Sequence, residues 1–327
     1  MINRENWIDT KKFIAYLAKI GRDEETIKRV RGILWHLLEW ADETPFPKGR
    51  EIDLAFPAYL LGARSDGSDK PLGAASMKKI CEYSRMFFEW IRWESPARYK
   101  SISKSWVETI RPSVARGLHS EFHEHQFWTV EAIKKIAALQ PKNITWERDI
   151  AAVCFMFLSA MRVQAFVSLP VEAVHLDRRV VRQFPELGVR TKNRKAGKTQ
   201  MLKIPELLEV VLAWDEKVRA AGARLWYPRI DRWHRFMTSD AEPNWLSMTK
   251  ILNAGLRELC QAAGVPYLSS HKLRHGHIVY AIRQVKDMKG LKAVSQNAMH
   301  SSVAITDGIY GRLVSDDIAE VYDGLGE

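Results

Sequence analysis

Residues 270–285 read SHKLRHGHIVYAIRQV, which puts three histidines and an arginine into seven positions before an apolar helical pattern takes over. Written as a helix, His271, Arg274 and His275 stand at i, i+3 and i+4 on one stripe. The stripe continues through Ile278, Ile282 and Val285, so the polar trio heads a face expected to be buried, with His277 off it. Three chemistries suit such a cluster. A metal could take His271 and His275, which have the spacing of a zinc metalloprotease helix. Lys272, however, stands where that motif has its general-base glutamate, and Arg274 would set a fixed positive charge beside the metal, so no metal is expected. The histidines could instead be satisfied by local hydrogen bonds. The third reading is an oxyanion site, because arginine offers a planar fork of donors and histidine a titratable one, and both suit a phosphate.

An oxyanion site needs further members, and the sequence downstream supplies them. NAMHSSVAITDGIYGRL, residues 297–313, places His300 before a turn and Tyr310 ten residues beyond it. A phenol with an ordinary pKa near 10 is a poor nucleophile at neutral pH. Its attack on a phosphodiester becomes feasible where cations stabilise the charge developing on phosphorus and donors assist proton transfer.

The ordered pattern H-x-x-R-H, then H-S-S-V-x-x-T, then Tyr closely resembles the tyrosine recombinase or phage integrase family. The resemblance extends upstream. In FLSAMRVQAFVSLPVEAVHLD, Arg162 stands where that family has an arginine at the end of a buried helix. GVRTKNRKAGKTQMLKIP offers the family's hairpin lysine as Lys192 first, with Lys195 and Lys198 as rivals. SMKKICEYSRMFFEWIRWE is similar to the helical core-binding domain, so the resemblance covers nearly the whole chain.

It implies that Tyr310 attacks the scissile phosphate to give a 3′-phosphotyrosyl link and a free 5′-hydroxyl, with no ATP, metal or cofactor. Arg162 and Arg274 would clamp the nonbridging oxygens. His271 and His300 would donate to the phosphate, His271 also accepting the tyrosine proton, while Lys192 protonates the leaving oxygen and His275 supports the site. Three positions depart from the family: Ala165 replaces an acidic brace, and Ala160 and Met299 replace glycines, which implies slightly different turns there.

Composition agrees with a DNA partner. The 327 residues are 46% hydrophobic and 27% charged, with a formal net charge of +11, the signature of a soluble globular chain drawn to a polyanion. Apolar runs such as DIAAVCFMFLSAM are shorter than the roughly 20 residues of a spanning helix, and MINRENWIDTKK carries no signal-peptide core. A cytoplasmic protein, nucleoid-associated when bound to DNA, is expected. Cys81, Cys154 and Cys260 lie far apart and read as buried free thiols.

Helical periodicity dominates the chain, with strand signals in AVHLDRRVVRQF, LGVRTK and TQMLKIP, the last two flanking the basic turn NRKAGK as a hairpin would. The expected fold is mainly α with a small antiparallel β-sheet. Residues 1–115 would form a helical core-binding domain, 116–125 a linker, and 126–327 the catalytic domain with an acidic, amphipathic tail. Trp7, Trp35, Trp40, Trp90 and Trp93 fall mostly on apolar helix faces and are expected in the core of the first domain. Lys78, Lys79 and Arg85, with Lys195 and Lys198, are the candidate DNA contacts.

The resemblance implies a partner in double-stranded DNA at a specific site, a monomer or dimer when free, and four protomers around two duplexes in the synaptic complex. The function expected is site-specific recombination for a mobile element. Two alternatives compete: a DNA-binding relative that no longer cuts, and a type IB topoisomerase-like nicking and closing activity.

Overall fold

The computed structural model describes residues 1–62, 72–112, 127–237, 244–300 and 302–304. The chain divides into two compact units, Met1–Glu121 and Phe122–Glu327. The candidate linker 116–125, Tyr310 and the tail that follows it lie outside the described residues.

The described part of the first unit is helical. α1 (Arg4–Lys19) starts where the Asn3 side chain accepts from the amides of Glu5 and Asn6, and α2 (Glu24–Ala41) where Asp23 accepts from Thr26. α3 (Phe56–Tyr59) is a single turn, α4 (Ala74–Glu94) is the longest helix, and α5 (Lys104–Thr109) starts on a Ser103 cap. α1, α2 and α4 bury Phe13, Leu34, Leu37, Phe87, Phe88 and Ile91 in one core. Two buried polar groups tie this core to its edge: the Tyr99 hydroxyl donates to Asp9 at 2.5 Å, and the amide of Phe46 donates to Asn6 Oδ1 at 2.7 Å. The tryptophans only partly meet expectation. Trp40 is buried and Trp90 half-buried, but Trp7 and Trp35 are exposed, meeting edge to face at 6.4 Å, and Trp93 is 75% exposed. Trp93 falls on the side of α4 opposite its buried residues Ser84, Phe88 and Ile91, so helix periodicity itself leaves that ring outside the core.

The second unit is built around α7 (Ile144–Ser159), buried on all sides from Arg148 to Ser159. α6 (Val130–Ala137), capped by Thr129, precedes it, and the short α8 (Val163–Val167) follows it. β1 (Val174–His175), β2 (Val180–Gln183) and β3 (Gly197–Gln200) form an antiparallel sheet in the order β1-β2-β3. α9 (Pro205–Ala220), α10 (Trp245–Ala263), α11 (His271–Gln284) and α12 (Met288–Asn297) complete it. α6, α9, α10 and α11 all pack on α7.

The buried pair on α7 is matched internally. Arg148 Nε donates to Asp149 at 2.8 Å, and the Tyr227 hydroxyl donates to the same carboxylate at 2.7 Å. α10 approaches this carboxylate so closely that a Cβ on Gly255 would lie 2.0 Å from it, and only glycine fits there.

The sheet corrects the strand expectation. β3 pairs with β2, Val181 opposite Thr199, and AVHLDRRVVRQF supplies both β1 and β2. LGVRTK is not a strand. A 3₁₀ turn at Pro185–Leu187 ends in Gly188 at φ 88°, and Asn193 and Arg194 are also left-handed, so the backbone cannot stay extended. The three cysteines are buried and free, and burial pushes their thiols up, Cys154 to about 12. No helix of the described residues is long and apolar enough to cross a membrane.

Candidate active site

Arg274, in the first turns of α11, is 4% exposed. A guanidinium removed from water needs acceptors. Nη1 donates to the Ala160 carbonyl at 2.6 Å, and Nη2 donates to the Ala298 carbonyl. One cation thereby ties the C-terminal ends of α7 and α12 to the start of α11.

Both carbonyls sit at left-handed turns. Ala160 ends α7 at φ 54°, ψ 19°. At the end of α12 the amide of Met299 donates to Gln296 at 2.8 Å and that of His300 to Ser295 at 3.1 Å, the paired bonds that finish a helix on a left-handed residue. That residue is Met299, at φ 53°. The two departures from glycine therefore leave left-handed turns in place, at a backbone strain of about 1–2 kcal/mol each. After the first turn Arg162 is the N-cap residue of α8, and after the second comes His300.

Arg162, His271, Arg274 and His300 come together. Burial, and then the charges of Arg274 and Arg162, hold both imidazoles below the ordinary histidine range, His300 down to about 4. His271 is exposed as a whole residue, yet burial by the surrounding protein is the leading cause of its lowered pKa. The His275 ring lies edge-on to that of His271, with centroids 4.9 Å apart at 76°. Among the described residues no three His, Cys, Asp or Glu side chains gather as a metal-binding group.

The connection between β2 and β3 adds a lysine. Lys195 Nζ donates to the His300 carbonyl at 3.0 Å, and its charge is a further cause of the low His300 pKa. Lys192 is exposed just before the left-handed residues Asn193 and Arg194, and Lys198 is exposed on β3 opposite Arg182. The lysine against the cluster is thus Lys195, where the sequence favours Lys192.

β3 is latched to α12 by Asn297, which accepts from the Gln200 amide at 2.6 Å and donates to the Gln200 carbonyl at 3.0 Å. Met299 packs over Gly197, where an added Cβ would come 3.0 Å from the methionine Cε. The lysine turn and His300 therefore share one support.

Two features are hidden from sequence reasoning. The buried face of α11 comprises Leu273, Arg274, Gly276, His277, Ile278 and Ala281, rotated from the expected stripe, of which only Arg274 and Ile278 are buried while His271 is exposed. His277, expected off that face, is fully buried and donates through Nδ1 to the Phe157 carbonyl at 2.7 Å, and burial lowers its pKa to about 4. Gly276 marks the cause, since a Cβ there would lie 2.1 Å from the Trp128 carbonyl, so this side of α11 is pressed against backbone as well. The Asn297 latch has no signal beyond an amide at a helix end. Ala165, at the family's acidic position, is buried in α8. On the first unit Lys78 and Lys79 are exposed on α4 and Arg85 is half-buried.

No family model matches the sequence, and no curated protein matches it. Solved structures do match the fold. A lambda integrase fragment, solved as a dimer bound to a COC′ core site, is 14% identical with a TM-score of 0.64, covering 96% of this chain and 98% of that one. The Tn1549 transposon integrase, solved in complex with transposon right end DNA, is 12% identical with a TM-score of 0.61 and covers 100% of both chains. A lambda integrase tetramer bound to a Holliday junction is 15% identical with a TM-score of 0.60, covering 91% and 79%. The fold of this chain is the fold of these integrases.

Proposed function

We propose that the protein is a site-specific DNA recombinase that cuts and rejoins duplex DNA through a 3′-phosphotyrosyl intermediate, as the integrase of a mobile element. The observation that carries this reading is the convergence of Arg162, His271, Arg274 and His300, with Lys195 against them, at the meeting of three helix ends and a hairpin. Such a cluster of fixed cations and neutral imidazoles stabilises charge developing on a pentacoordinate phosphorus.

In the forward step the Tyr310 oxygen bonds to phosphorus and the bond to the 5′-oxygen breaks. His271, neutral at pH 7 by its lowered pKa, takes the phenol proton, and a lysine ammonium returns a proton to the leaving oxygen. Lys195 is assigned that last role over Lys192, on its bond to His300. Arg162 and Arg274 neutralise the nonbridging oxygens, and His300 donates to them. The phosphotyrosyl ester keeps the energy of the broken bond, so an incoming 5′-hydroxyl reverses the step without ATP. The +11 charge and exposed lysines such as Lys78, Lys79 and Lys198 supply salt-dependent affinity for the backbone. In this reading residues 1–115 and the catalytic domain both contact the duplex, residues 116–125 link the two, and four protomers assemble on two duplexes.

Ala165 favours a second reading, a relative that binds DNA without cutting it, because the family's acidic brace is absent. A supercoiled plasmid with two copies of the element's end sequences separates these possibilities. Exchange between the copies supports recombination, relaxation alone a topoisomerase-like activity, and retention without either product the binding relative.

A further inference from the structure

Between α9 and α10 the chain forms a small hairpin that the candidate site does not use. Ile230 pairs with Phe236, the amide of Asp231 donates to the Arg235 carbonyl at 2.9 Å, and that of Met237 donates to the Arg229 carbonyl at 2.9 Å. The Asp231 carboxylate accepts from the amides of Trp233 at 2.8 Å and Arg235 at 2.9 Å, and these bonds hold it below the usual carboxylate range. His234 closes the turn at φ 62°. The feet of the hairpin, Ile230 and Phe236, pack against the core, with the Phe236 ring edge-on to Trp214 at 5.7 Å.

The tip is different in kind. Arg232, Trp233, His234 and Arg235 are exposed, Trp233 at 59%, and Arg229 is exposed below them. The Arg232 guanidinium lies 4.1 Å from the indole centroid and that of Arg235 5.2 Å. An indole left in water forfeits its burial, and ordering a turn around it costs conformational entropy. A core-anchored turn that offers a flat ring ringed by cations fits a ligand that is both anionic and flat-faced. Nucleic acid supplies phosphates for the guanidinium forks and sugar and base surface for the indole, whereas an acidic peptide supplies only the charge.

We propose that the Arg232–Trp233–His234–Arg235 turn is a second DNA contact of the catalytic unit, its arginines on backbone phosphates and its indole against the sugar and base edges of a groove. The inference rests on the DNA reading above but not on strand cutting. It is tested on the full chain by titrating a short duplex of arbitrary sequence over a range of salt concentrations. The double variant Arg232→Ala, Arg235→Ala lowers the slope of log affinity against log salt by about 1.8, or about 0.9 for each phosphate left without its arginine. Trp233→Ala weakens binding about fivefold or more with the slope unchanged, and Trp233→Phe recovers most of the loss. Unchanged affinity and slope in both alanine variants overturn the proposal, as does altered self-association in sedimentation with duplex binding intact. Wild-type binding to a duplex carrying the element's junction without any covalent adduct would sink the cutting reading and leave this one standing. Normal adduct formation with unaltered binding by the turn variants does the reverse.

Discussion

Arg274 donates to the carbonyl of Ala160 at 2.6 Å and so joins the start of α11 to the left-handed end of α7, two segments 114 residues apart. The same guanidinium reaches the Ala298 carbonyl, which makes it a structural clasp besides the phosphate ligand proposed above. Arg274→Lys keeps the charge but not the fork. Both Arg274→Lys and Arg274→Ala are expected to slow single-turnover cleavage at least a hundredfold. Arg274→Ala should also lower stability in urea unfolding by about 2 kcal/mol, through the stranded carbonyls. Full stability in the alanine variant would mean that the clasp does not hold the helices.

Ala160 and Met299 share a left-handed backbone but not an environment. Ala160→Gly relieves the Cβ strain and should raise stability by up to about 1 kcal/mol. Met299→Gly relieves the same strain yet removes a buried side chain that covers Gly197, so it should be destabilising by about 2 kcal/mol or more. Thermal unfolding of the two variants checks the opposite signs.

His277 makes stability depend on pH. Its folded pKa of about 4 lies below the unfolded value of about 6.5, so between these values the unfolded chain binds a proton that the folded chain refuses. Stability is complete above pH 6.5, falls as pH drops to 4, and levels off below. The loss from this group is about 3 kcal/mol. His271 and His300 act in the same direction, so the measurement is wild type minus His277→Asn, whose amide can still reach Phe157. A difference that stays constant with pH would contradict the burial of a neutral ring.

Lys195 and Lys192 are separated by the leaving group. If Lys195 delivers the proton, Lys195→Ala slows cleavage about a hundredfold or more on an ordinary substrate. The loss should vanish on a substrate with sulfur in place of the 5′-oxygen, because a thiolate leaves without a proton. Lys192→Ala should show neither effect. The opposite pattern would return the role to Lys192.

The sequence carries the chemistry more clearly than the geometry. H-x-x-R-H and His300 are legible because the proposed phosphate chemistry calls for those residue types, and the helices are legible because α1, α2 and α4 alternate apolar and polar faces while α7 is a continuous apolar run behind its Asn143 cap. The strand pattern misleads where Gly188, Asn193 and Arg194 turn the backbone, since β-branched composition alone does not reveal a left-handed residue. The choice of Lys195 depends on a hydrogen bond across 105 positions. His277 looks peripheral in sequence because its burial comes from Phe157, on another helix. The RWHR turn gives no signal of its own, because four polar or aromatic residues between helices look like any solvated loop.

The central claim is a covalent bond between Tyr310 and DNA. A duplex carrying the element's junction and a nick just beyond the scissile phosphate traps the cut state, because the short product strand diffuses away. Incubated without ATP or metal and resolved under denaturing conditions, wild type should yield an adduct whose DNA-bearing peptide contains Tyr310, while Tyr310→Phe should yield none and still bind the duplex. An adduct that persists in Tyr310→Phe, or none from wild type on a duplex it binds, would contradict the account.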